Sequence, residues 1–222
     1  MIFGGDFILY DLFYACLTAD YNKCPGSCDY AIQLRGNTLY LFFKKSDGAV
    51  DWLNNLDFPA RAFCSSGEKW YCHRGFLRAW TNIVERLDSR INSILNDHKK
   101  IKNLVITGYS HGAALAVFAL EHFSFIYKDT LKIQAYGFGG PRVVFGKLPS
   151  GVKKRLSTFI LIRNIPDIVT HLPPSFLFYR HTGRIIKLSS NLKFSPIQAH
   201  TPNAYLDALC ELKNSSQAKS HY

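Results

Sequence analysis

No stretch of this chain is apolar for anything like the roughly 20 residues that a helix needs to cross a bilayer; the longest such runs, residues 39–43 among them, are short. Its opening residues, Met-Ile-Phe-Gly-Gly-Asp, lack the positive charge that begins a secretory leader, and acids stand at Asp6 and Asp11. The expectation is a protein that is cytoplasmic, or secreted with its leader already removed. Internal repeats are missing as well, which excludes stacked-repeat architectures. A zinc site at Cys24 and Cys28 would need two further ligands, and the neighbouring sequence offers none in a familiar spacing. No metal and no cofactor are expected. The six cysteines leave the redox compartment open: Cys24 with Cys28, and Cys64 with Cys72, suit small disulfide loops in an oxidising setting and reduced thiols elsewhere. Acids are scarce in the last third. From Arg142 onward 12 Lys and Arg face three acids, a net of +9, whereas the first 141 residues carry 15 against 13, a net of +2. The basic face this implies suits an anionic membrane ahead of an acidic protein or a merely solvated surface. No nucleic-acid-binding motif accompanies it, so no nucleic-acid partner is expected.

What is present fits one compact domain spanning residues 1–222, with 47% apolar residues to build a core and a polar, flexible tail over residues 213–222. Residues 6–19 read as a helix. Residues 30–34 and 38–43 read as strands joined by Arg35-Gly36-Asn37, whose Gly and Asn supply the positive φ of a tight hairpin. Phe76, Trp80, Ile83, Val84, Leu87, Ile91, Ile94 and Leu95 recur at helical spacing and predict one long amphipathic helix over residues 75–95. Strand and helix then alternate: strands at 104–107, 131–138 and 158–163, a helix at 112–125 rich in small residues, a hairpin over 176–188 around His181-Thr182-Gly183, and a closing helix at 205–212. The alternation predicts an α/β fold with a mostly parallel central sheet, an antiparallel N-terminal hairpin and helices on both faces.

Gly108-Tyr109-Ser110-His111-Gly112 is a G-x-S-x-G pentapeptide that follows a buried strand and opens a helix. That context strains the serine backbone so that its hydroxyl stands clear of the sheet, and the N–H of His111 points into the same space. A serine hydroxyl needs an imidazole to take its proton and a carboxylate to hold that imidazole. In α/β-hydrolases both follow the serine, acid first. Asp167 leaves the strand ending at Arg163, whereas Asp129 precedes its strand and Asp207 lies within the last helix. Of His171, His181, His200 and His221, position favours His200, in the loop before the closing helix; His181 suits a buried structural role.

These blocks together resemble the class 3 lipases, the fungal triacylglycerol lipases and related plant phospholipases, from about Thr38 to Leu206. Val105-Ile-Thr-Gly-Tyr-Ser-His-Gly-Ala-Ala-Leu-Ala116 is similar to the family's elbow, Cys72-His-Arg-Gly-Phe76 to its His-x-Gly-Phe helix start, and Gly137-Phe-Gly-Gly-Pro-Arg-Val143 to its Gly-x-Pro-Arg-Val strand end. Asn164-Ile-Pro-Asp-Ile-Val-Thr-His-Leu-Pro-Pro174 resembles the segment bearing the family's catalytic aspartate, which falls on Asp167. The resemblance implies that His200 is the base, although Tyr205 follows it at a greater distance than usual. It implies an oxyanion hole made by His111 N–H and Ser46, each contributing on the order of 3 kcal/mol to the transition state. Lys44-Lys45 stands where the family usually has Arg-Gly. It also places residues 47–58 where the family has its lid, with Trp52, Leu53 and Leu56 on one face of a short helix; the residues alone read equally as a fixed surface helix. The implied function is a serine-dependent carboxylic ester hydrolase acting on neutral glycerolipids or phospholipids. A soluble short-chain esterase and a non-catalytic lipid-binding module are the alternatives.

Overall fold

The computed structural model describes residues 7–24, 28–44, 59–64, 67–189 and 195–219. Its centre is a six-stranded sheet in the order β1 (Tyr30–Arg35), β2 (Thr38–Phe43), β5 (Asn103–Tyr109), β6 (Lys132–Phe138), β8 (Phe159–Asn164) and β10 (Arg184–Leu188). The β1–β2 pair is antiparallel, with Gly36 at φ +59° in the turn, and every later pairing is parallel. This is the mixed sheet that the hairpin and the strand–helix alternation predict.

The strands β2, β5, β6 and β8 are buried on both faces over most of their length, so their sequences are largely apolar and successive side chains enter two different cores, whereas the edge strand β10 is mostly exposed. Leu104 and Ile106 of β5 face one core, built with the helices α2 (Arg74–Thr81), α3 (Val84–Asp97) and α4 (His111–Ile126). Val105 and Tyr109 face the other, built with α1 (Phe7–Thr18) and the closing α5 (Pro202–Lys219). Phe13 illustrates the second layer: it is fully buried and packs on Tyr109, Phe138 and Tyr205 at ring separations of 5.3, 4.6 and 5.8 Å. Burial of a ring of that size contributes roughly 1.5–3 kcal/mol. No helix among the described residues is long and apolar enough to cross a membrane.

Three expectations differ from the structure. The single helix over residues 75–95 is two helices, because Thr81 Oγ1 donates to the Arg78 carbonyl (3.0 Å) and Asn82 N–H is drawn back onto the last turn. Polar side chains that bond locally compete in this way with the helical ladder. The apolar spacing survives the break, as Ile83 remains buried.

Residues 176–188 are not a hairpin. The two-residue strand β9 (Tyr179–Arg180) pairs antiparallel with β7 (Val144–Phe145), in a second sheet with β4 (Trp70–His73) and β3 (Ala60–Phe63), while β10 joins the central sheet. The chain changes sheets at Gly183 (φ +70°), where a Cβ would lie 2.1 Å from the Phe159 carbonyl oxygen.

The closing helix starts earlier and runs further than its periodicity implies, so the polar stretch after Lys213 is helical as far as Lys219. Pro202 supplies its first residue, where a missing N–H is harmless, and Thr201 Oγ1 accepts from Ala204 N–H at 3.3 Å. All six cysteines are free thiols.

Candidate active site

Ser110 lies between β5 and α4 with φ +58° and ψ −120°, a backbone conformation that a non-glycine residue holds only under constraint. Its own N–H is pinned to the Phe138 carbonyl at 2.8 Å. The flanking glycines are required by close approach. A Cβ at Gly108 would stand 2.1 Å from the Gly112 carbonyl oxygen, and one at Gly112 would stand 2.3 Å from the Phe43 carbonyl oxygen. Strand, elbow and helix therefore fit together only without those side chains, and the fit aims Ser110 Oγ off the end of the sheet at the N-terminus of a 16-residue helix.

Asp167 follows β8 and caps the short 3-10 helix Ile168–His171, its Oδ1 accepting from Val169 N–H at 2.9 Å. Its Oδ2 accepts twice, from Tyr205 OH at 2.6 Å and from His200 Nδ1 at 2.8 Å. The carboxylate is fully buried, and these donors replace the water it has lost. His200 ends the 3-10 turn Gln198–His200, and its Nε2 lies 2.8 Å from Ser110 Oγ. With Nδ1–H directed at the carboxylate, the Nε2 lone pair faces the serine hydroxyl. The structure thus brings Ser110, His200 and Asp167 into one hydrogen-bonded row from three separate loops at the same end of the sheet.

Two tyrosines hold that row. Tyr109, beside the serine, stacks on the His200 ring at 5.3 Å and donates its hydroxyl to the His200 carbonyl. The Tyr205 hydroxyl accepts from Asn164 N–H at 3.1 Å while donating to Asp167. Burial raises the pKa of both phenols, with the Asp167 charge adding to the effect, so both remain neutral donors. Gly139 (φ +59°) lies against the row: a Cβ there would meet Tyr205 OH at 3.0 Å and Asp167 Oδ2 and His200 Cε1 at 3.1 Å each.

The other histidines point elsewhere. His171 turns to Arg163, and His181 Nε2 bonds the Thr170 carbonyl at 2.8 Å. Burial pushes the His181 pKa down to about 4. His111 packs on Phe76 at 5.5 Å, and burial likewise lowers its imidazole pKa to about 4, leaving an uncharged ring beside the serine. Ser46, Trp52, Leu53, Leu56 and His221 lie outside the described residues. No group of three or more His, Cys, Asp and Glu among the described residues could hold a metal ion.

Sequence reasoning missed the roles of Tyr109, Tyr205 and Gly139. Gly139 sits in a block already singled out, Gly137-Phe-Gly-Gly-Pro. The tyrosine contacts span 38 and 91 residues, and no local pattern reports them.

Residues 40–177 match the family described as lipase (class 3). Over 192 residues the chain is 35% identical to the secreted mono- and diacylglycerol lipase LIP2 of Malassezia restricta, covering 77% of this chain and 61% of that protein. Over 199 residues it is 29% identical to the chloroplastic phospholipase A(1) DAD1 of Arabidopsis thaliana, covering 81% of this chain and 44% of that one. The chain thus spans about half the length of such relatives. Among solved structures, lipase II from Rhizopus niveus superposes with a TM-score of 0.66 at 22% identity, over 80% of this chain and 67% of that one.

Proposed function

The chain belongs to the class 3 lipase family, and from that premise we propose that it hydrolyses carboxylic esters of lipids with Ser110 as nucleophile, His200 as general base and acid, and Asp167 as the carboxylate that orients the imidazole. The observation carrying this reading is the unbroken row from Ser110 Oγ through His200 Nε2 and Nδ1 to Asp167 Oδ2, with 2.8 Å at each junction. Ser110 Oγ attacks the ester carbonyl carbon while its proton passes to His200 Nε2. The tetrahedral oxyanion collapses, and the departing alcohol takes that proton. Water then attacks the acyl-enzyme, gives its proton to His200, and the second collapse releases the fatty acid and returns the proton to Ser110 Oγ. The buried Asp167 charge stabilises the imidazolium in both halves.

His111 N–H, at the start of α4, is the first oxyanion donor in this reading; Ser46 is the second, on the family resemblance alone. Trp52, Leu53 and Leu56 are assigned to a lid on the same ground. The names of the relatives, a mono- and diacylglycerol lipase and a phospholipase A(1), direct the substrate reading to acylglycerols and glycerophospholipids. Hydrolysis of both classes, and of p-nitrophenyl esters of rising chain length, tests it. Turnover that grows with acyl length and vanishes in Ser110→Ala is expected. Turnover confined to the shortest esters would make the protein a soluble esterase instead.

A further inference from the structure

Phe176 and Phe178 are the most exposed large apolar side chains among the described residues, at 79% and 66%. They occupy the 3-10 turn Ser175–Leu177 and its cap, where Phe178 takes the left-handed conformation at φ +64°. A bulky residue adopts that conformation only when its surroundings impose it. Here Phe178 N–H donates to the Ser175 carbonyl at 3.0 Å, the Phe178 carbonyl accepts from Gly146 N–H at 3.1 Å, and its ring meets Phe145 edge-on at 6.2 Å. Two phenylalanines are thereby held outward on a braced turn, against the hydrophobic effect.

A cavity of about 630 Å³ adjoins this turn, and Lys147, Lys153, Arg180 and Arg184 line it with no acid among the lining residues. None of the four cations is paired with a carboxylate among the described residues. The rings and the cations are continuous. Lys147 follows Gly146, which binds the Phe178 carbonyl, and Arg180 lies two residues beyond Phe178 with buried Tyr179 between them. Inward, Tyr179 packs on His73 at 5.9 Å, His73 on Phe76 at 4.2 Å and Phe76 on His111 at 5.5 Å, so the surface is joined to the serine elbow through ring contacts.

We propose that Phe176, Phe178 and the cavity cations form a docking surface for an anionic phospholipid bilayer, the rings entering the acyl region and the cavity receiving a phosphate headgroup. Exposed aromatics beside unpaired cations match the layering of such a bilayer, apolar within and negative at its surface. A second copy of this chain fits poorly, since a two-fold contact would set the same four cations against each other. The proposal rests on the lipid-ester reading of the active site. Docking is therefore measured on Ser110→Ala protein, which reports binding whether or not hydrolysis occurs.

The experiment is co-sedimentation with vesicles of phosphatidylcholine alone and of phosphatidylcholine with phosphatidylserine, at low and high salt. Binding to the anionic vesicles, weakened by salt, is expected. Phe176→Ser with Phe178→Ser should lower it by roughly tenfold per ring, and Arg180→Glu with Arg184→Glu by at least about fivefold per residue. Lys99→Glu with Lys100→Glu, an equal charge change at other exposed positions, should stay within about twofold. Thermal unfolding monitors the fold, and the single variants Phe176→Ser and Lys147→Glu replace any double variant that does not fold. Equal binding to neutral vesicles, or equal loss in the Lys99/Lys100 variant, would overturn the proposal. So would inorganic phosphate binding, followed by titration calorimetry, in a protein that leaves both vesicle types in the supernatant; that result would assign the cavity to a soluble anion.

Discussion

Tyr205→Phe removes one oxygen from the interior and nothing else. Tyr205 is fully buried, and its ring contacts with Phe13 and Tyr109, at 5.8 and 5.9 Å, are available to phenylalanine unchanged. The hydroxyl donates to Asp167 Oδ2 at 2.6 Å and accepts from Asn164 N–H at 3.1 Å. A hydrogen bond to a charged group contributes about 1.5–3 kcal/mol, and the stranded Asn164 N–H adds a desolvation cost, so a loss of about 3 kcal/mol in folding stability is expected. The same change acts on catalysis, because the hydroxyl also fixes the carboxylate that is bonded to His200 Nδ1. With one donor gone Asp167 holds the imidazole less firmly, and kcat on a monomeric p-nitrophenyl ester should fall by about tenfold with KM little changed. Urea unfolding gives the first quantity, and steady-state hydrolysis gives the second. A stability change under about 0.5 kcal/mol together with an unchanged kcat would refute the reasoning, because a hydroxyl that truly bridges Asp167 and Asn164 cannot be removed silently.

Gly139→Ala should cut kcat by about 100-fold, since a Cβ at 3.0–3.1 Å from Tyr205 OH, Asp167 Oδ2 and His200 Cε1 forces the row apart. The positive φ should also lower the melting temperature, and an unchanged kcat would show that the row yields freely. His200→Ala should lose several orders of magnitude in turnover, while His171→Ala and His181→Ala keep measurable hydrolysis; equal loss from His171→Ala would move the base. Stability should fall with acid through His181. Its folded pKa of about 4 lies below the ordinary 6.5, so the unfolded chain takes the proton first and stability declines from about pH 6.5 to about 4. His181→Gln should flatten that part of a melting-temperature profile, and an unaltered slope would place the proton uptake elsewhere.

The elbow was legible because its constraints are local: a buried strand, an intolerance of side chains at Gly108 and Gly112, and a helix of small residues all fall within one window. Asp167 was legible from a strand that ends just before it, and His200 only by its place in the chain. The second sheet was not legible. Val144–Phe145 and Tyr179–Arg180 are two residues each, too short for any periodicity, and their pairing is decided by contacts between distant segments. The break at Asn82 escaped for the opposite reason, since the apolar spacing continues across it while the backbone does not. Tyr205 and Gly139 act through space on groups that the sequence keeps far apart.

The most direct measurement is labelling by a fluorophosphonate, which reacts with an activated serine and requires no choice of substrate. A single adduct is expected on wild-type protein, located at Ser110 by peptide mass, absent from folded Ser110→Ala and strongly slowed in His200→Ala. Labelling at another serine, or hydrolysis that persists in folded Ser110→Ala, would contradict the proposal that Ser110 is the nucleophile.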